Sequence, residues 1–307
     1  MSKPKILITG ANGLVGRTLL ESEKLYLIFD VYATSLRSDQ SENKQPNYSY
    51  SQVDLTKEEE VTSLISSIQP EVIIHTAAQS HVDRCAENPN QCKSVNVDAV
   101  QNIINSAKKY QSHIIYLSTD FVFAGNDSVY YENSIINPVN YYGELKAKAE
   151  TLLQDQYPQY SIVRTILVYG APETLSRSNF LIWVYQSLKA GKPIRVVDDQ
   201  FRMPTYVGDL VQGLINIAKG KHRGIFHLCG AERCSVYQFA INIAEFYQLD
   251  SSLISPIHTK ELNESNSRPV STGFNLDKSK LILDYHPNSV KDALEYIDLS
   301  RLNTYKL

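Results

Sequence analysis

Tyr142 and Lys146 are two side chains whose chemistry and spacing suit proton transfer. They lie four residues apart on a helix predicted over residues 141–154, so they share one helical face. A free tyrosine has a pKa of about 10. A lysine cation nearby, in a site shielded from water, lowers the pKa of the phenol towards neutrality. Because the chain has 20 tyrosines, an accidental surface pair is the alternative, and the pair alone does not define a site.

Two hydroxyl side chains, Ser118 and Thr119, stand at the end of a strand predicted over residues 113–118. A hydroxyl at the carboxyl edge of a sheet can hydrogen-bond a substrate carbonyl or hydroxyl while the tyrosine moves the proton. Capping of the turn that follows is the alternative role for such residues. The hydroxyls alone therefore do not indicate a catalytic site. They do so only if a cofactor site lies at the same edge of the sheet.

A glycine turn at the N-terminus predicts that cofactor site. Residues 9–16 read Thr-Gly-Ala-Asn-Gly-Leu-Val-Gly, directly after a short apolar run at residues 6–8 and before apolar residues at helical spacing. Glycines let the backbone turn tightly and approach a phosphate, and the helix that follows directs its positive end at that phosphate. A strand, a glycine turn and a helix in this order favour dinucleotide binding over an ordinary turn.

Strands and helices alternate through the first half of the chain. This order predicts an α/β fold with a doubly wound parallel sheet, a Rossmann fold, in which ligands bind beyond the carboxyl ends of the strands. The pattern becomes irregular beyond Gly170, although residues 224–228 read as a strand that could rejoin the main sheet. We expect residues 1–168 plus 204–228 to form the NAD(P)-binding domain, and residues 169–203 plus 229–307 a smaller substrate-binding subdomain. Six strands are predicted in the first half, at residues 6–8, 26–32, 48–53, 72–75, 113–118 and 161–168.

Charge and composition argue against nucleic-acid, membrane and metal binding. The formal net charge is −3 and no lysine or arginine run occurs, so we predict no nucleic-acid partner. No apolar stretch reaches the ~20 residues that span a bilayer, and a cytoplasmic protein without a membrane partner is expected. The four cysteines and seven histidines show no metal-binding spacing, so we predict no metal site. We expect the cysteines, Cys85, Cys92, Cys229 and Cys234, to be reduced thiols.

The motifs together resemble the extended short-chain dehydrogenase/reductase superfamily, and within it the dTDP-4-dehydrorhamnose reductase family. The family's Ser-Thr-Asp-Tyr-Val-Phe stretch is similar to residues 118–123, and its Asp-Gln-x-x-x-Pro-Thr stretch to residues 199–205. Further similarity at Arg268-Pro269 and at residues 277–281 extends the resemblance over nearly the whole chain.

The resemblance implies an NAD(P)H-dependent reductase of a nucleotide-linked 4-keto-6-deoxy sugar. Thr119, Tyr142 and Lys146 would be catalytic: Tyr142 would donate the proton to the keto oxygen, and Lys146 would lower the pKa of the phenol and hold the nicotinamide ribose. Capping of a turn by Asp54 and of a helix by Asn179 are open alternatives to ligand binding. The implied cofactor-binding residues are Gly10, Asn12, Gly13, Leu14, Val15, Gly16, Arg37, Asp54, Leu55, Ala77, Ala78, Ser80, Asn96, Tyr142 and Lys146. The implied substrate-binding residues are Thr119, Asp120, Leu167, Asn179, Gln200, Pro204 and Thr205.

Two residues depart from the family pattern. Leu167 stands where the family commonly has a Trp that helps to hold the substrate, and leucine offers no aromatic face to a sugar or a base. Phe121 replaces a tyrosine, which removes a hydroxyl and retains the ring. Dehydrorhamnose itself is therefore one of several sugars that the sequence leaves open.

The exit of the second predicted strand favours NADP(H), with NAD(H) as the alternative. Residues 33–37 contain no acid that would accept from the ribose hydroxyls, and Arg37 is placed to meet a 2′-phosphate. Asp30 lies within the predicted strand rather than at its end.

Two other functions stay open. One is a sugar-nucleotide epimerase or dehydratase of the same superfamily, which would retain its NAD. The other is a non-catalytic nucleotide-binding regulatory subunit like that of methionine adenosyltransferase, which resembles the same family and also lacks the Trp. Many relatives dimerise, so a homodimer is an open alternative to a monomer.

Overall fold

A computed structural model of the chain describes residues 2–41, 47–172, 174, 178–261 and 267–299. The strands, in chain order, are β1 Lys5–Thr9, β2 Asp30–Ser35, β3 Tyr48–Gln52, β4 Val72–His75, β5 His113–Thr119, β6 Tyr160–Thr165, β7 Val168–Tyr169, β8 Ile194–Val197, β9 Phe201–Arg202, β10 Thr205–Tyr206, β11 Gly224–His227, β12 Cys234–Ser235 and β13 Ile254–Ile257. The α-helices are α1 Leu14–Glu21, α2 Glu23–Ile28, α3 Glu58–Ile68, α4 Val82–Glu87, α5 Pro89–Lys93, α6 Ala99–Ala107, α7 Tyr141–Gln156, α8 Phe180–Lys189, α9 Val207–Gly220, α10 Val236–Phe246, α11 Asp277–Leu283 and α12 Val290–Glu295.

Seven strands form one parallel sheet in the order β11-β6-β5-β4-β1-β2-β3. The predicted doubly wound Rossmann fold is therefore confirmed. The strand predicted at residues 224–228 joins this sheet as β11, beside β6. All seven strands run in the same direction, so the ends of β1, β4 and β5 meet at one edge, where the predicted site lies.

Apolar side chains cover both faces of the sheet. In β1, Ile6 and Ile8 pack into a core that includes residues of α1 and α9, whereas Leu7 packs into a second core with residues of α3 and α6. This alternation follows from the two-residue period of a strand. Because both faces are buried, the central strands are continuous apolar runs, which is typical of parallel sheets.

A further core lies in the second half of the chain. Side chains of α8, α10 and α12 pack there with the paired strands β8 and β13. Two more strand pairs, β7 with β10 and β9 with β12, lie in the same part of the sequence. None of the helices in the described ranges is long and apolar enough to cross a membrane.

The second strand, predicted at residues 26–32, is present as β2, but the predicted bounds are wrong. The structure has the helix α2 up to Ile28, and β2 begins only at Asp30. A short apolar run does not distinguish a strand from a helix by its periodicity. Here Leu25 is buried and Leu27 is 75% exposed, so only one face of the run enters the core.

The expectation of four reduced cysteines is also wrong, because Cys85 and Cys92 form a disulfide. Helices α4 and α5 meet at Asn88, and this turn brings the Cα atoms of the two cysteines to 5.1 Å. Both cysteines are buried, and their spacing in the sequence does not reveal this geometry. Cys229 and Cys234 are free thiols, as expected.

Candidate active site

The glycine turn after β1 packs directly against the end of β4. Gly10 has a φ of +72°, and a Cβ there would lie 2.6 Å from the backbone nitrogen of Ala77. A Cβ on Gly16 would collide with the carbonyl oxygen of Gly10. Both positions therefore require glycine, one for its backbone conformation and both for the close approach.

The turn leaves the N-terminus of α1 open for an anion. Gly13 is the N-cap residue, no side chain in the described ranges caps it, and the first turn of the helix holds no acidic residue. Leu14 and Val15 begin the helix, and their backbone N–H groups are among those without an intrahelical acceptor. These features fit the pyrophosphate of a dinucleotide, which takes the free N–H groups and the positive end of the helix dipole.

Asn12 and Arg17 fix the loop that follows β2. The Asn12 amide donates to the carbonyl oxygen of Ser38 at 2.9 Å, and the guanidinium of the buried Arg17 pairs with Asp39 at 3.0 Å. Tyr48 donates to the same carboxylate at 2.7 Å. Arg37 is exposed two residues beyond β2, in the loop that these contacts hold. Asp30 begins β2, at the opposite end of the strand from this loop.

Asn96 holds the segment that follows β4. Its side chain accepts from the backbone N–H of Gln79 at 3.1 Å and donates to the carbonyl oxygen of the same residue at 3.0 Å. Asn96 lies in a π-helical segment, Ser94–Asp98, and is buried. Its hydrogen bonds therefore position residues 77–80, which include Ala77, Ala78 and Ser80.

Asp54 caps a turn, which was one of its two predicted roles. Its carboxylate accepts from the backbone N–H and the hydroxyl of Thr56, at 3.0 and 2.7 Å. The carbonyl oxygen of Leu55 accepts from Asn102 at 3.0 Å. Cofactor contact by Asp54 and Leu55 stays a prediction.

The structure brings Thr119, Tyr142 and Lys146 together at the carboxyl end of β5. Asn140 caps α7 by accepting from the backbone N–H of Gly143 at 2.9 Å. Tyr142 then lies in the first turn of the helix, beside Thr119, whose hydroxyl lowers the pKa of the phenol. One turn later, the Lys146 ammonium donates to the carbonyl oxygen of Leu117 at 2.7 Å. Thr119 also caps the turn after β5, accepting from the backbone N–H of Phe121 at 3.3 Å.

Burial has the largest effect on the pKa values of Tyr142 and Lys146. It raises the pKa of Tyr142 above the ordinary value for a phenol, and the carboxylate of Asp120 adds to this effect, while the hydrogen bond with Thr119 opposes it. Burial also lowers the pKa of Lys146 to about 7, and Glu150 opposes that shift. The ammonium lies 4.0 Å from the centroid of the Tyr116 ring. The expected lowering of the phenol pKa by Lys146 is therefore not the dominant effect, and Tyr142 stays protonated at neutral pH.

Asp120 forms a buried polar cluster behind Thr119. Its carboxylate accepts from the hydroxyl of Thr272 at 2.6 Å and from that of Thr119 at 3.1 Å, and it lies 3.6 Å from the guanidinium of Arg202. Burial raises its pKa. Sequence reasoning missed Arg202 and Thr272, and for Thr272 no local signal points to this contact across 152 residues.

Most other predicted substrate residues make hydrogen bonds within the fold. Asn179 caps α8, which was its alternative role, and donates to the carbonyl oxygen of Gly170 at 2.7 Å. The Gln200 amide donates to Thr259 at 3.1 Å, and the hydroxyl of Thr205 donates to the carbonyl oxygen of Ile166 at 2.5 Å.

Leu167 and Pro204 differ from these residues in making no side-chain hydrogen bond, as their chemistry requires. Leu167 is half-buried, between β6 and β7, and has a φ of +38°. A left-handed conformation is unusual for leucine. Pro204 is buried next to Thr205. Substrate contact by all five of these residues stays a prediction.

Among the residues that the structure describes, one group of side chains could hold a metal ion, and it lies next to the predicted substrate residue Gln200. Ligand atoms of Asp198, Asp199 and His258 lie within 4.8 Å of one another. The carboxylate of Asp199 already accepts from the backbone N–H and the hydroxyl of Thr259. The expected absence of a metal site stays a prediction.

Known proteins resemble this chain along almost its whole length. The family model described as RmlD substrate binding domain matches residues 4–300. The dTDP-4-dehydrorhamnose reductase of Aggregatibacter actinomycetemcomitans is 32% identical over 305 residues, which are 95% of this chain and 98% of that protein. Methionine adenosyltransferase 2 subunit beta of Bos taurus is 30% identical over 258 residues, 82% of this chain and 75% of that protein.

A solved structure agrees with these sequence matches. The dTDP-4-dehydrorhamnose reductase of Bacillus anthracis str. Ames, crystallised in complex with NADP, has a TM-score of 0.85 and 27% identity, and the match covers 95% of this chain and 98% of that one. Because the family match extends over residues 4–300 and is supported by a reductase 32% identical over nearly its full length, this chain belongs to the RmlD substrate binding domain family.

Proposed function

We propose that the chain is an NAD(P)H-dependent reductase of a nucleotide-linked 4-keto-6-deoxy sugar. The observation that carries the proposal is the meeting of Tyr142, Lys146 and Thr119 at the sheet edge where the glycine turn also lies. The reductase relative, 32% identical over 95% of this chain, supports the same reaction class. A carbonyl oxygen beside the hydroxyls of Tyr142 and Thr119 would receive its proton from the phenol.

Each residue of the trio has a distinct task. Tyr142 is held protonated by burial, so it carries the proton that carbonyl reduction consumes. The hydroxyl of Thr119 lies beside the phenol and opposes the rise of its pKa. The Lys146 ammonium is fixed by the carbonyl oxygen of Leu117, one helical turn from the phenol, and its charge favours the phenolate that forms. A bound nicotinamide cofactor supplies the hydride.

The cofactor proposal is NADP(H), with NAD(H) as a possible substitute. The open N-terminus of α1 would hold the pyrophosphate, with Gly10 and Gly13 in the preceding turn. Arg37 is exposed at the exit of β2, where a guanidinium would meet a 2′-phosphate. The Bacillus anthracis reductase was crystallised with NADP, which supports this choice.

The substrate would lie between the sheet edge and the second half of the chain. This proposal retains the division into residues 1–168 plus 204–228 and residues 169–203 plus 229–307. The central sheet lies within the first set and the α8, α10 and α12 core within the second. Because Leu167 stands where the family commonly has a Trp that holds the substrate, the proposal does not specify the sugar or the nucleotide base. A cytoplasmic location and a homodimer are part of the proposal, and light scattering of the purified protein would test the dimer.

The experiment is turnover of NADPH and NADH, followed by absorbance, against a panel of nucleotide-linked keto sugars. Stoichiometric oxidation of NADPH with one of them supports the reductase. Tightly held NAD that does not exchange would instead identify an epimerase or dehydratase. Cofactor binding without turnover of any sugar would favour a non-catalytic regulatory subunit; the Bos taurus relative is named as subunit beta of methionine adenosyltransferase 2.

A further inference from the structure

Glu150 continues the line of catalytic side chains along α7. Tyr142, Lys146 and Glu150 are spaced by four residues, so they form one stripe on the helix. The Glu150 side chain is 0% exposed, although α7 also carries exposed positions where a glutamate is readily accommodated, such as Glu144. A carboxylate is rarely buried to this extent without a specific set of partners.

The stripe contacts three consecutive residues at the end of β5. Tyr142 lies beside Thr119, whose hydroxyl acts on the pKa of the phenol, and the Lys146 ammonium donates to the carbonyl oxygen of Leu117. The remaining residue of the strand end, Ser118, donates its hydroxyl to Glu150 at 2.5 Å. Glu150 thus closes the third contact between the helix that carries the catalytic pair and the strand that carries Thr119.

Arg164 on β6 completes the arrangement. Its guanidinium contacts both oxygens of the Glu150 carboxylate, with Nη2 to Oε2 at 2.7 Å and Nε to Oε1 at 3.1 Å. Arg164 is 1% exposed, and its Nη1 donates to the carbonyl oxygen of Glu132 at 3.2 Å. A buried ion pair of this kind is weak evidence for stability, because apolar residues of similar volume often replace one without loss.

We infer that Glu150 is a positioning residue for the catalytic pair: it sets α7 against the end of β5, and its carboxylate, one helical turn from Lys146, favours the charged form of that lysine. This inference rests on the proposed function for its catalytic meaning, whereas the contacts themselves do not depend on that function. Arg164 and Ser118 hold the carboxylate in place, so their contribution acts through Glu150.

Among the residues that the structure describes, the other titratable groups that act on Lys146 or lie beside its partners supply no counter-charge. His75 on β4 is buried, and its pKa is lowered to about 3, first by burial and then by the charge of Lys146, so it is neutral. Burial raises the pKa values of Tyr116 on β5 and Tyr142 on α7, so both are neutral as well. Asp120 hydrogen-bonds Thr272 and lies beside Arg202. Glu150, paired with Arg164, is the carboxylate that opposes the loss of the Lys146 proton.

The test compares Glu150→Gln with the wild-type full chain through two measurements that need no turnover. The first is the affinity for NADPH as a function of pH, which should fall once Lys146 loses its charge. The second is the free energy of unfolding as a function of pH. Folded Lys146 has a pKa of about 7, whereas an unfolded lysine has one of about 10.4. The unfolded chain therefore binds more protons between these values, and stability rises with pH there.

In Glu150→Gln, both transitions should move to lower pH by about one unit, because an opposite charge is lost and Arg164 is left unpaired. Glu144→Gln, on the exposed face of the same helix, should leave both profiles unchanged. The double variant Glu150→Gln with Arg164→Met should show a smaller shift than the single variant, because it also removes the unpaired guanidinium.

The inference would be overturned if the pH transitions of Glu150→Gln, in NADPH affinity and in unfolding free energy, lay at the same pH as those of the wild type. A fall in affinity that is equal at all pH values would also count against it, because a residue with only a structural role would give that result. If the single variant does not fold, the double variant decides in the same way, because it too lacks the carboxylate. A wild-type protein that binds NADPH and reduces no keto sugar would refute the proposed function and leave this inference to be judged by the two profiles.

Discussion

At the scale of single residues, the catalytic trio could be predicted from sequence, but the charge state of its members could not. The spacing of Tyr142 and Lys146 fixes their common helical face, and Thr119 follows from the end of a strand. The depth of burial depends on the packing of several elements, and burial is what raises the pKa of Tyr142 and lowers that of Lys146. Glu150 carried a usable signal, because it lies one further helical turn along the same stripe.

Tyr142→Phe should fold, bind NADPH and lose turnover by about 10²–10⁴-fold, since the variant lacks the proton that the carbonyl oxygen receives. The neighbouring Tyr141→Phe is a matched control, because the Tyr141 hydroxyl makes its hydrogen bond to the carbonyl oxygen of Pro89, at 3.4 Å, and not to a residue of the proposed site. Steady-state kinetics with a saturating keto sugar measure the difference. Near-normal kcat in Tyr142→Phe would remove this residue from the mechanism.

Arg37→Ala should weaken NADPH binding about ten- to a hundredfold and leave NADH binding nearly unchanged, because only the first carries the 2′-phosphate. Fluorescence titration with both cofactors measures the ratio. Arg195→Ala removes a comparably exposed guanidinium on β8, near Glu261, and should affect neither cofactor. Equal losses for NADPH and NADH in Arg37→Ala would show that the phosphate assignment is wrong.

At the scale of elements, the central strands were predictable and the connections between them were less so. Buried strands such as β4 and β5 appear as apolar runs bounded by turn residues. The second predicted strand included the end of α2, because the five-residue apolar run at residues 25–29 is too short for its period to be decisive. The disulfide was missed for another reason, since it depends on the angle between α4 and α5.

The disulfide should contribute about 2 kcal/mol to the free energy of unfolding, as expected for the closure of a short loop. Denaturant titration of wild type with and without a dithiol reductant measures this contribution. Replacing both Cys85 and Cys92 by Ser should lower stability by a similar amount and abolish the effect of the reductant. Cys234→Ser, at a free thiol, should retain that effect. A thiol titration of the unfolded, unreduced chain that finds four free thiols instead of two would contradict the disulfide.

At the scale of the whole molecule, a buried contact joins the sheet edge to a segment near the end of the chain. The hydroxyl of Thr272 donates to the carboxylate of Asp120, which also accepts from Thr119. The sequence indicates that the second half supplies the other wall of the cleft, but a contact between residues 152 positions apart depends on the finished packing.

Thr272→Val should lower the free energy of unfolding by about 2 kcal/mol, because it removes a hydrogen bond to a buried carboxylate at nearly constant volume. It should also lower kcat, since Asp120 contacts the catalytic threonine. Thr151→Val, at an exposed position on α7, should change neither quantity by much. Chemical denaturation and steady-state kinetics check the two effects. Full stability in Thr272→Val would show that Asp120 does not depend on this bond.

The loop that follows β2 has a consequence for the thermodynamics of cofactor capture. Asn12 and Arg17 already tie it to the glycine turn, through the carbonyl oxygen of Ser38 and the carboxylate of Asp39. Two parts of the predicted cofactor site are thus preassembled before any nucleotide arrives. The conformational entropy of ordering this loop is lost when the chain folds, so it does not reduce the affinity for the dinucleotide.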